Sequence, residues 1–92
     1  GDVIVSGSAE IFGEAYVINS GGGYLYVKDE AKIYGHGFLN GSVIVANDSE
    51  VFGWGKVLDY AQVLGESKVC GKAIIKDGEI LTNDTSNCVQ KK

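Results

Sequence analysis

SEVFGWGKVLDYAQVLGESKVCGK, residues 49–72, divides without remainder into SEVFGW, GKVLDY, AQVLGE and SKVCGK. Each six reads small residue, x, aliphatic, x, Gly/Asn/Asp, x. Carried outward, the beat puts an aliphatic residue at Val5, Ile11, Val17, Val27, Ile33, Leu39, Val45, Val51, Val57, Val63, Val69, Ile75 and Leu81. Two residues further on stand Gly7, Gly13, Asn19, Asp29, Gly35, Gly41, Asn47, Gly53, Asp59, Gly65, Gly71, Asp77 and Asn83. All thirteen sixes comply at both slots. A period this short sets the architecture ahead of any other argument.

Two inward positions separated by one outward position make a short half-buried strand. The turn slot accepts residue types that tolerate positive φ cheaply, so the chain bends after each strand. One six is then one flat side of a prism, and three sides close a coil of eighteen residues. Small inward residues (Ala9, Ala15, Ala31, Gly37, Ser49, Gly55, Ala61, Ser67, Ala73) suit a narrow interior. The expected fold is all-β, a single-stranded parallel β-helix of a little over four triangular coils. It is expected over residues 1–84, with a loop insertion at 20–24 and a C-terminal tail, a candidate cap, at 85–92.

AEIFGE (9–14), AKIYGH (31–36), SEVFGW (49–54), AQVLGE (61–66) and SKVCGK (67–72) resemble the left-handed β-helix of the hexapeptide-repeat superfamily. The resemblance runs over residues 3–84. The acyltransferase form of that repeat has no fixed Gly two residues after the aliphatic one. The A-x-V-x-G-x form here is closer to uncharacterised bacterial and phage-type solenoids. The resemblance implies left-handed winding and self-association, trimers being common in the superfamily. It also implies, as an alternative function, acyl transfer with a His as general base, for which the chain offers His36.

Composition agrees with a single solenoid. Ninety-two residues are few for a globule, but a coil needs only its neighbours. Fourteen Gly and no Pro fit tight turns and unbroken ladders. The net charge of −4 argues against a nucleic-acid surface. No apolar run is long enough to span a bilayer, so no membrane contact is expected, and nothing indicates a compartment.

Outward residues sort by stacking at eighteen, with four added across Ser20-Gly21-Gly22-Gly23. One face presents Ile4, Tyr26, Ile44, Gln62 and Ile80; a second presents Glu10, Lys32, Glu50 and Lys68; a third presents Tyr16, Phe38, Lys56 and Ile74. The second alternates in sign and reads as solvated. The other two are mostly apolar, and a contiguous apolar patch points to a partner, here a homo-oligomer (trimer or dimer) or another protein. The interface residues are then Ile4, Tyr26, Ile44, Ile80, Tyr16, Phe38 and Ile74, although β-propensity alone also favours such residues. The inserted glycines make either a plain turn extension or a loop reaching a ligand or neighbour, with Tyr24 as its contact. The first coil has no visible cap, so chain upstream or a second copy is expected to cover it.

Three corners carry candidate chemistry. Glu30, Asp48, Glu66 and Asp84 share one edge; such carboxylates suit Ca²⁺, or they form a water-exposed edge with screened repulsion. Phe12, Tyr34, Phe52 and Cys70, flanked by Glu14, His36, Trp54 and Lys72, make a second corner. Stacked aromatics there stabilise a solenoid, or Tyr34, His36, Phe52 and Trp54 bind carbohydrate or protein. Cys88 follows Cys70 by eighteen residues, so continued winding brings the pair to one coil spacing, within disulfide reach. The beat breaks after Asn83, however, which loosens that register. His36 lacks a basic cluster for a CoA phosphate, a second domain and an assignable carboxylate orienter. No catalytic set, zinc spacing or phosphate loop is present, so the expectation is a non-catalytic structural or interaction module without a cofactor.

Overall fold

The computed structural model describes residues 1–82 and Cys88. Within them the chain winds through thirteen short strands that stack into three parallel sheets. The first sheet runs β1 (Asp2–Val5), β4 (Tyr24–Val27), β7 (Ile44–Val45), β10 (Gln62–Val63) and β13 (Ile80–Leu81). The second contains β2 (Glu10–Ile11), β5 (Lys32–Ile33), β8 (Glu50–Val51) and β11 (Lys68–Val69). The third contains β3 (Tyr16–Ile18), β6 (Phe38–Asn40), β9 (Lys56–Leu58) and β12 (Ile74–Ile75). This is a parallel β-solenoid of about four coils, about eighteen residues per turn, without helix among the described residues.

The register follows the beat. Ile4, Tyr26, Ile44, Gln62 and Ile80 form one ladder of Cα partners, as do Glu10, Lys32, Glu50 and Lys68. Tyr16, Phe38, Lys56 and Ile74 form the third. Inward, Leu25, Val27, Ile33, Leu39, Val43, Val45, Val51, Val57, Val63, Val69 and Ile75 are fully buried in one continuous core. At the small slot the first sheet departs from expectation, since Leu25 and Val43 fill it with bulk. In the third sheet two positions of the same slot, Gly37 and Gly55, have no room for a side chain. A Cβ on Gly37 would stand 2.8 Å from the Val51 carbonyl oxygen, and one on Gly55 2.9 Å from that of Val69.

Eleven of the twelve turn slots up to Asp77 have positive φ, four of them held by Asp29, Asn47, Asp59 and Asp77. Asn19 is the exception. It is buried, and its side chain organises the insertion. Nδ2 donates to the carbonyls of Asp2 and Gly23, at 3.1 and 3.3 Å, while Oδ1 accepts from Gly21 N at 3.2 Å. Gly23 supplies the positive φ instead. Tyr24, expected in the loop, is the first residue of β4 and pairs with Asp2.

The two ends differ. β1, β2 and β3 are edge strands of their sheets, and the core opens beneath them. Val3, Val5 and Ile11 point inward yet are 40%, 48% and 36% exposed. Val69, Ala73 and Ile75, near the other end, are 0% exposed. Cys70 is joined there to Cys88 by a disulfide with Cα atoms 5.7 Å apart.

Candidate functional site

The aromatic corner consists of two columns. Phe12, Tyr34 and Phe52 stack with centroids 5.1 and 5.0 Å apart and planes within 4° and 2° of parallel. Beside them Glu14, His36 and Trp54 climb the same coils; the His36 and Trp54 rings lie 3.9 Å apart, 2° from parallel. Each such pair contributes about 0.5–1.5 kcal/mol beyond area burial. Both faces of the Tyr34 ring are therefore covered by Phe12 and Phe52, so it offers no platform to a sugar. Trp54 stacks on His36 and is exposed.

Glu14 supplies what sequence reading did not assign. Its Oε1 lies 3.3 Å from His36 Nε2, one coil away. Both side chains are solvent-accessible there, so the contact is a surface pair. The second-sheet charge ladder, in contrast, closes no ion pair at any rung. Glu50 instead accepts a hydrogen bond of 2.5 Å from the Tyr34 hydroxyl, reached diagonally across the corner.

This hydrogen bond has a pH signature. Burial first, then the bond to Glu50 and its negative charge, pushes the Tyr34 phenol from 10.0 up to about 12. The unfolded chain releases the proton near 10.0 while the folded chain keeps it, so stability is intact below 10.0 and falls as pH rises towards 12. Solvent screening at this half-buried site limits the loss to about 1 kcal/mol. Denaturant midpoints across that interval should fall more in the wild type than in Tyr34→Phe; parallel curves would mean Tyr34 is not the group responsible.

Along the acidic edge the described carboxylates do not converge. Glu30, Asp48 and Glu66 are exposed along it, Asp84 lies outside the described residues, and no group of three or more His, Cys, Asp or Glu converges among the described residues. One coil spacing holds the carboxylates apart, and the turn residues beside them bond to each other instead. Asn47 N and Nδ2 donate to Asp29 Oδ2 at 3.2 and 3.3 Å, and Gly65 N donates to Asn47 Oδ1 at 2.9 Å. Asx side chains here stitch one coil to the next, a role the bare Gly/Asn/Asp pattern did not disclose.

On the outer faces Tyr16 and Ile80 are exposed, while Ile4, Tyr26, Ile44, Phe38 and Ile74 are half-buried by their ladder neighbours. Tyr16 stacks on Phe38 at 5.6 Å. Elsewhere the insertion has built a cleft of 280 Å³ that sequence reading missed. Ser20, Gly21 and Gly22 form one wall, Leu58, Asp59 and Tyr60 another, and Asn40, Gly41 and Ser42 lie between. Ser20 donates through N and Oγ to Asn40 Oδ1, at 3.0 and 2.9 Å, and Ser42 Oγ donates to the Gly22 carbonyl at 2.6 Å. The glycine loop is thus folded back onto the next coil.

Fold and site together define the class as a parallel β-solenoid with a loop-walled cleft. No family model, no curated protein and no solved structure matches this chain. Among the described residues, no helix is long and apolar enough to cross a membrane.

Proposed function

We propose that this chain is a non-catalytic structural module that self-associates through its apolar outer faces. The observation that supports this reading is the pair of mostly apolar outward ladders, Ile4/Tyr26/Ile44/Ile80 and Tyr16/Phe38/Ile74, which run along the stack with Tyr16 and Ile80 exposed. The eighteen-residue coil and the A-x-V-x-G-x beat support placing the chain with the left-handed hexapeptide-repeat solenoids.

Light scattering coupled to size exclusion tests the assembly. The expected mass is an oligomer that Ile44→Glu or Phe38→Glu converts to a folded monomer, checked by circular dichroism, while Glu66→Gln leaves it intact. An unchanged mass in both face variants, or a wild-type monomer at every concentration, would reject the outer faces as the contact.

Acyl transfer with His36 as base is the second reading, favoured by the Glu14–His36 contact. The cleft lies among other residues, so an acceptor site at His36 needs walls from a neighbouring copy. Binding of a CoA thioester by the assembled protein tests it, and no binding would remove it.

A further inference from the structure

We propose that the cleft between the inserted loop and the corner at Asp59–Tyr60 binds a neutral sugar ring. Three features carry this. The first is that the wall is built and not incidental. Ser20 bonds Asn40 and Ser42 bonds the Gly22 carbonyl, which tethers the loop to the next coil at two points, and Asn19 fixes its entry. Glycine at Gly21 and Gly22 leaves that wall without side chains, so the cleft stays open between a bare backbone and the facing corner.

Second, the polar groups are mixed in the way a polyol requires. Asn40 uses Oδ1 to hold Ser20, which leaves its Nδ2 to donate. Asp59 offers a carboxylate that accepts, and no Lys, Arg or His lines the cleft to hold an anion. Hydroxyl groups donate and accept at once, so a sugar can satisfy Asn40 and Asp59 together. A lone carboxylate is too few ligands for a calcium ion.

Third, Tyr60 is a flat ring 71% exposed at the mouth, with half-buried Leu58 behind it, among the described aromatics free of any stacking partner. An exposed ring with an apolar face and a polar tip is what the C–H face of a pyranose stacks against. At 280 Å³ the cleft falls just below the ~300 Å³ lower end of ligand pockets, so it takes one ring and not an extended chain.

The test is titration of the ¹⁵N-labelled chain with methyl β-glucoside, methyl β-galactoside and methyl α-mannoside, with tetramethylammonium as a cationic probe. Saturable amide shifts at Ser20, Asn40, Asp59 and Tyr60 are expected with at least one glycoside. Tyr60→Ala and Asp59→Asn should each weaken that binding by roughly tenfold. The Asn variant keeps a residue that tolerates the φ of 62° at this turn, and the spectrum itself reports whether each variant is folded. Trp54→Ala should change nothing. The proposal is overturned by no saturable shift with any glycoside, by shifts that survive both cleft variants, by shifts centred on Trp54, or by a response to the ammonium probe alone.

Discussion

Ile33→Ala should lower the free energy of unfolding by about 3 kcal/mol, while Ile11→Ala should lower it by only about 1 kcal/mol in the unassembled chain. The two isoleucines are direct partners in the second sheet, at the same slot one coil apart. What separates them is cover. Ile33 is 0% exposed between Ile11 and Val51, so truncation leaves a cavity that neighbouring coils cannot close without losing their own ladder bonds. Ile11 has its lower side open to water, so truncation there leaves no enclosed void. Because each coil is supported only by its neighbours, the damage at Ile33 also divides the stack into two short pieces. Urea unfolding of both variants measures the difference. Equal losses would mean the first coil is as well packed as the second.

Reduction of Cys70–Cys88 should cost about 3 kcal/mol, from the chain entropy released when an eighteen-residue link is opened. Cys70 is buried at the top of the aromatic column, above Phe52, with its Cα 5.7 Å from that of Cys88. Cys88→Ser is the informative variant, because it opens the link without placing a hydroxyl at the buried position. Its urea midpoint should match that of the reduced wild type, and adding reductant to it should have no further effect. A variant as stable as the oxidised wild type would show that the link does not constrain the chain.

The ladders were legible in advance because a repeat of constant length fixes what lies one coil above what. Tyr16 over Phe38 and Glu10 over Lys32 follow from counting alone, once four residues are allowed for the insertion. The turn slots were legible for a similar local reason, since Gly, Asn and Asp bear positive φ at low cost. Counting did not reach contacts that run diagonally. Tyr34 reaches Glu50 across sixteen residues, and Ser20 reaches Asn40 across twenty, neither of which is the repeat. Nor did the pattern separate Asn19 from its neighbours in the same slot. Its letter fits the turn, but the inserted residues after it removed the need for positive φ and gave its side-chain amide three backbone groups to hold, the Asp2 and Gly23 carbonyls and Gly21 N.

Coil size, the three parallel sheets, the inward core and the outward ladders all follow from sequence, because each depends on a short period repeated without interruption. Only the tertiary structure decided which inward residues are actually covered, that Glu50 meets the Tyr34 hydroxyl, and that the glycine insertion folds back to wall a cleft. Those outcomes depend on where the stack ends and on side-chain reach between corners. A translational repeat is silent on both, since it describes every coil as though it had the same neighbours.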